Sequence, residues 1–295
     1  MEKRVRQGVL PVITALIWGV AFVFQKQGAA HLGNFTFNAA RFLLGFLVLC
    51  VFLALRRLIG KKNAEKRKSN PKKVWIGGFC CGAALFAASA LQQLGIADTD
   101  AGKTAFITAL YIVLVPLFGL FFGKKVTATV WISVAVAVAG MYFLCVHGGF
   151  SVRKSDLILL LCAVMYAVQI LAIDHFVQDV DGVSMSCVQM LTACVLSLIG
   201  AVLTETVTWQ ALLDCAVPIL YVGIMSSGVA YTLQVLAQIG TNPTVVSLLL
   251  SMESVFGALA GAMISGERML PTEIVGCVLM FAAVLLAQIP VKKKK

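Results

Sequence analysis

Glu253 lies about midway through the apolar run 243–265, with Ser247, Ser251 and Ser254 stepping along the same stretch. The run is long enough to cross a bilayer, where an ionised carboxylate costs ~3 kcal/mol on insertion scales. Such a group has to be paired, hydrogen-bonded or protonated. A carboxyl group that is neutral when dry and charged when wet can load and release a proton, or hold a substrate ammonium. The competing reading is a neutral glutamic acid bridging helices through the nearby serines, a common use of polar groups in membrane bundles.

The uncharged polar residues fall in stripes. Ser227, Tyr231, Gln234 and Gln238 are spaced 4, 3 and 4; Ser89 pairs with Gln92, and Tyr166 with Gln169. Residues three or four apart share one face of a helix. Hydroxyls, phenols and amides offer donors and acceptors without fixed charge, which suits a site that must release its ligand. Hydrogen bonding between helices would serve any single one of them equally well. Trp18 and Phe86 are candidate aromatic walls, although core packing or an interfacial belt accounts for such residues too. Arg41 is the most deeply placed cation. Facing a cavity, it would favour a carboxylate-bearing substrate through a forked pair of hydrogen bonds. Lys26 and Lys103, nearer the ends of their apolar runs, are expected to snorkel to the interface.

The pattern recurs along the chain. With an offset of 142, Ser89 and Gln92 fall on Tyr231 and Gln234; with an offset of 143, Thr104, Thr108 and Tyr111 fall on Ser247, Ser251 and Ser254. Polar stripes at matched places in two halves point to a pathway lined by both.

The elements that carry these stripes are membrane spans. The 295 residues are 60% hydrophobic and 13% charged, where a soluble domain carries about a quarter charged. Ten windows can cross a hydrocarbon core of ~30 Å: 8–29, 35–56, 74–96, 100–122, 128–147, 156–176, 184–204, 214–237, 243–265 and 272–290. The net charge of +11 does not signal nucleic acid, because the basic residues cluster in short runs between spans. Three precede span 1, nine fall in 56–73, two are Lys124 and Lys125, and four end the chain; only Arg153, Lys154 and Arg268 fall on the opposite side. The bias places both termini in the cytoplasm. Two copies of five helices, 1–150 with the basic loop 57–73 and 151–295 with the basic tail 291–295, must then be inverted, since five is odd. The expected fold is an all-α membrane protein of ten transmembrane helices in two inverted five-helix repeats.

Several alternatives are excluded or demoted. The basic N-terminus before an apolar run imitates a signal peptide, but no small-residue cleavage site closes the run and nine spans follow. Nine cysteines in or beside apolar stretches, with no CxxC pair, read as small packing residues. His31, His147 and His175 are scattered, and no nucleotide-binding, HExxH or GxSxG motif occurs, so no metal, cofactor or ATP-driven step is expected. Asn34-Phe35-Thr36 matches a glycosylation acceptor by a pattern short enough to arise by chance. Gly257 and Gly261 form a GxxxG face for close helix packing, which does not establish a dimer.

One ordered set of residues is familiar. Span 1 carries Trp18-Gly19, Phe22, Phe24 and Lys26; span 2 carries Phe37, Asn38 and Arg41-Phe42. Gly95 to Ala105 reads GIADTDAGKTA, followed by Phe106, Tyr111 and Pro116. The second half has Ser251-Met252-Glu253-Ser254-Val255 and then Gly266-Glu267. The set resembles the drug/metabolite transporter superfamily, in its EamA-type branch of two five-helix repeats. The resemblance implies ten helices, an inverted repeat, a cavity open to one side at a time, and transport, often export, of amino acids or other small metabolites. Two positions depart from the pattern: Gly123-Lys124-Lys125 where Gly-Glu is usual, and Glu253-Ser254 where Glu-Pro is usual. Without that proline, the kink it would give span 9 is not expected.

The expected function is secondary transport by alternating access in the cell (inner or plasma) membrane. The expected partners are a small-molecule substrate, the lipid bilayer and, through Glu253, protons, with a site near the midplane lined by spans 1, 3, 4, 6, 8 and 9. Export of drug-like or cationic compounds, or flipping of a lipid-linked group, is the alternative of the same type. An intramembrane enzyme should show a second catalytic group, and a sensor scaffold a soluble output domain; the chain offers neither.

Overall fold

A computed structural model describes residues 5–59, 70–99, 101–121, 123, 126–145, 153–265 and 270–287. Most of loop 57–73, Lys124, Lys125, His147, Gly266, Glu267, Arg268, the tail 291–295 and the junction at 150/151 lie outside the described residues. Within them the chain is helical, with no strand. Eight helical stretches are long and apolar enough to cross a membrane, and two shorter apolar helices, Ala128–Leu144 and Pro271–Ala287, fall where spans 5 and 10 are expected.

Spans 1 to 3 are α1 (Leu10–Ala29, preceded by a π-helical turn, Val5–Val9), α2 (Asn34–Ile59) and α3 (Pro71–Ala97). Span 4 is α4 (Ala101–Ala109) and α5 (Tyr111–Phe121); span 5 is α6 (Ala128–Cys145); span 6 is α7 (Lys154–Phe176); span 7 is α8 (Gly182–Thr204). A short α9 (Trp209–Asp214) leads into span 8, which is α10 (Ala216–Tyr221), a π-helix (Val222–Ala230) and α11 (Tyr231–Gln238). Span 9 is α12 (Pro243–Leu250) and α13 (Glu253–Ser265), and span 10 is α14 (Pro271–Ala287).

Local sequence sets the helix starts. Asn70 accepts from the Lys72 amide with Pro71 in the first turn, and Asn242 accepts from the Thr244 amide with Pro243 behind it. Both satisfy an amide that a helix N-terminus leaves open. For α2 the cap arrives from another helix. Glu205, just past α8, accepts from the Phe35 and Thr36 amides at 2.8 Å each and from the Thr36 hydroxyl at 2.6 Å. Its charge also faces the positive end of the α2 dipole. Asn34 and Thr36 of the acceptor-like triplet are thus both engaged, Asn34 donating to the Ala90 carbonyl.

Spans 4 and 9 are interrupted, which hydropathy does not reveal. At Leu110, and again at Ser251-Met252, the ladder switches to three-residue steps: Val113 to Leu110, Met252 to Leu249, Ser254 to Ser251. In span 9 the Ser247 and Ser251 hydroxyls donate back to the Thr244 and Leu248 carbonyls, which competes with the α ladder and bends it. The break expected to vanish with the missing proline is therefore present, made by serines.

Helices at matching places in the two halves pack side by side. Along α2 and α8, Phe35 meets Gly200, Ala39 meets Cys194 and Cys50 meets Cys187, so the pair is antiparallel. In α6 and α14, Gly140 and Gly276 let the backbones touch. The α3–α7 contact in one arrangement has its counterpart in the contact of α1 with span 8. Gly19 of α1 sits against α13 so closely that an added Cβ would lie 2.6 Å from the Gly257 amide nitrogen.

Candidate functional site

Between these helices lies a cavity of about 400 Å³, counted with its open mouth. Span 1 contributes Trp18, Phe22 and Gln25; α2 contributes Arg41; α3 contributes Gln92; span 4 contributes Thr108 and Tyr111. From the second half come Tyr166 and Ile170 of span 6, Ser226, Tyr231 and Gln234 of span 8, and Glu253 of span 9.

Glu253 and Tyr111 occupy the first position after the break in their respective spans, 142 residues apart. Tyr111 donates its phenol to Glu253 Oε1 at 3.1 Å. Beyond them, Tyr166 donates to Gln92 Oε1 at 3.1 Å and shares a hydrogen bond with Tyr231 at 3.2 Å. Tyr231 packs its ring 4.7 Å from that of Trp18. On the opposite wall Arg41, 1% exposed, donates Nη1 to Gln25 Oε1 at 3.2 Å. The cavity thus holds one cation, one carboxyl group and a set of phenols and amides that are bonded to one another.

The remaining expected site residues lie behind this lining. Gln169 exchanges hydrogen bonds with Gln234 at 3.4 and 3.2 Å and so orients it. Ser89, Thr104 and Ser254 are buried, and Ser251 bonds within its own helix. Phe86 stacks on Phe35 at 6.1 Å, away from the cavity. Ser227 is buried against Gly45, and its neighbour Ser226 takes the lining position. The reason is the π-helix: the Tyr231 amide bonds to the Ser226 carbonyl five residues back, so the face carrying Tyr231 reaches Ser226, where α spacing reaches Ser227. Phe22, Gln25 and Ile170 were missed as well. Trp18, Phe22 and Gln25 are spaced 4 and 3, and Ile170 is four beyond Tyr166, so the helical signal was there but two of the side chains are apolar.

Lys26 and Lys103 both reach partners on other helices. Lys26 donates to the carbonyls of Ile96 (2.8 Å), Ala97 (3.2 Å) and Thr99 (3.0 Å), closing α1 onto the C-terminus of α3. A helix C-terminus is where a cation is favoured and where carbonyls lack partners. Lys103 pairs with Asp156 at 2.7 Å, joining the start of α4 to the start of α7. The matching corner of the other half is held by an amide. Gln178 donates to the Gln238 carbonyl at 3.3 Å and accepts from the Gly240 amide at 3.0 Å, and Gln238 is Ile96 plus 142. Gly240 turns there with φ of 66°, a conformation glycine adopts freely.

Comparison with known proteins agrees with this architecture. The model of the EamA-like transporter family matches residues 8–146 and again 153–288. A protein of Archaeoglobus fulgidus named "Uncharacterized transporter" is 27% identical over 292 residues, covering 98% of this chain and 88% of that one. A Sinorhizobium protein named "Uncharacterized transporter in cobO 3'region" is 29% identical over 140 residues, 46% of this chain and 93% of its own. A solved structure, "Crystal structure of protein", superposes with a TM-score of 0.78 over 96% of each chain at 17% identity, a likeness of fold alone.

Proposed function

Because the chain belongs to the EamA-like transporter family, we propose that it carries a small polar metabolite across the bilayer by alternating access, driven by a gradient. It is a multi-pass membrane transporter. Amino acids and related compounds are the first substrates to test, and export is the proposed direction.

The observation that carries this reading is a polar cavity built by both halves, with Tyr111 and Glu253 at matched breaks in its wall. The antiparallel run of α2 and α8 supports an inverted repeat, in which closing one end mirrors opening the other. The basic residues support cytoplasmic termini. Glu253 is the proposed proton carrier. Buried and bonded by Tyr111, its carboxyl group is relieved of that environment when its side of the cavity opens wide to water. A group that binds a proton in one state better than in the other shifts the balance between them, which is what coupling requires.

Protein in liposomes preloaded with one amino acid should take up the same labelled amino acid by counterflow. The pool of amino acids should show at least one that exchanges saturably. Exchange of organic cations alone would replace this reading with the cationic-compound one, for which the rings of Trp18, Tyr166 and Tyr231 around Glu253 would be the natural seat.

A further inference from the structure

We infer that Arg41 supplies an oriented subsite for a single carboxylate of the transported molecule, with Gln25 as its positioning residue. The inference rests on the transport reading and narrows its substrate to a class.

A guanidinium has five N–H donors in one plane. In Arg41 the plane is fixed from two directions: its centre sits 4.6 Å over the Phe42 ring, and Nη1 donates to Gln25 Oε1. Gln25 is itself anchored, since its backbone carbonyl accepts from Gln93 Nε2 at 3.1 Å. Nε and Nη2 have no hydrogen-bond partner, although the residue is almost wholly buried. These two nitrogens share one edge, and their parallel N–H bonds match the two oxygens of one carboxylate. Trp18 Nε1 is a further buried donor without a partner among the lining residues. The enclosed, unpartnered atoms of the lining, Trp18 Nε1 and Arg41 Nε and Nη2, are thus all donors. Among the described residues the ion pairs are Arg56–Asp181, Lys73–Asp179 and Lys103–Asp156, and no described carboxylate pairs with Arg41. Glu253 is engaged by Tyr111 instead.

A buried cation with two enclosed, unpartnered donors on one edge is a site for an oxyanion that reaches it as the lining moves apart. Charge selects which one. With Glu253 protonated the cavity holds one positive charge, which a monocarboxylate cancels and a phosphate dianion overshoots. The aromatic wall of Trp18, Phe22 and Tyr231 leaves the rest of the ligand to be apolar or weakly polar.

The test uses purified full-length protein in detergent and reads binding by intrinsic tryptophan fluorescence and by melting temperature. The probes are amino acids, simple monocarboxylates, their primary amides, the matching amines and inorganic phosphate. At least one carboxylate is expected to bind saturably and its amide about tenfold or more weaker, because the amide leaves the fork half met. Arg41→Lys keeps the charge without the fork and should lose that preference. Gln25→Leu frees Nη1 and should shrink the carboxylate-to-amide ratio at an unchanged melting temperature, a change that a purely structural role would not give. The wild-type comparison stands even where a variant fails to fold. Equal binding of carboxylate and amide, tighter binding of phosphate, or no saturable binding by any carboxylate overturns the proposal. Counterflow of a substrate that lacks a carboxylate would do so while leaving the transport reading intact.

Discussion

The two halves break their fourth helices at the same register and place different chemistry there. In the first half the residue after the break is Tyr111, a neutral donor; in the second it is Glu253, which can change charge. The hydrogen bond between them spans the interface of the repeats. The corners that close span 1 on span 3 and span 6 on span 8 differ in the same way. The first half uses the Lys26 ammonium on three carbonyls and the second uses the neutral amide of Gln178 on one. On the alternating-access proposal, the repeated frame gives two matched states, and the mismatched residues make those states unequal. An unequal pair is what a coupled transporter needs, because a gradient can only drive a cycle whose two halves respond differently to the driving ion.

The comparison can be broken most severely at the frame. Gly19→Leu puts a side chain where the α13 backbone already lies, with the nearest atom 2.6 Å from an added Cβ. Overpacking of this kind costs ~1–3 kcal/mol or more, and the variant should lose most of its yield of folded protein and melt several degrees lower.

A smaller and more selective effect is expected at the breaks. Tyr111→Phe keeps the ring and removes the donor to Glu253, leaving a buried carboxyl group short of a partner at a cost of ~1–3 kcal/mol. Counterflow should fall about tenfold or more, with a drop of a few degrees in melting temperature and no loss of folded yield. Ser254→Ala, at the position that matches Tyr111 under the offset of 143, should stay within about twofold of wild type. Equal losses from the two variants would erase the assignment of Glu253 as the counterpart of Tyr111.

The corners give a finer test. Lys26→Gln makes the first corner resemble the second and removes a charge–dipole interaction of ~0.3–1 kcal/mol. In a cysteine-depleted background carrying Thr108→Cys, the rate of labelling by an impermeant thiol reagent from the Lys26 side should rise about two- to fivefold. No change would mean that this corner does not set the balance.

The smallest effect is expected at Asp181. Partial burial works against its carboxylate, but hydrogen bonds from Arg56 and Ser184 outweigh that and hold its pKa below the ordinary carboxylate value. The associated stability is present above the unfolded pKa and is lost as pH falls through the lowered folded one. For a partly exposed pair it is worth less than ~1 kcal/mol. The melting temperature should dip slightly on acidification below the ordinary carboxylate range, and Asp181→Asn should flatten that dip.

Hydropathy alone locates the helices, since burying a backbone in lipid leaves a span little choice but to be helical. It says nothing of the breaks at Leu110 and Ser251-Met252; in span 9 the serines that bond back to a carbonyl look like any other polar residue in a stripe. For the same reason a single α spacing carried from Tyr231 selects Ser227, where a π turn brings Ser226 round. Glu253 and Arg41 were legible because charges deep in apolar runs need partners, and Tyr111 because its stripe recurs in the second half. Lys26 and Lys103 were misread because their partners, three carbonyls and Asp156, belong to other spans and only the fold brings them near.

The most direct test of proton coupling through Glu253 is substrate flux in liposomes, measured with and without an imposed pH gradient, for wild type and for Glu253→Gln. Flux in the wild type should follow the gradient, and the variant should still exchange substrate but no longer respond to it. A variant that keeps the full response to the gradient would contradict the account.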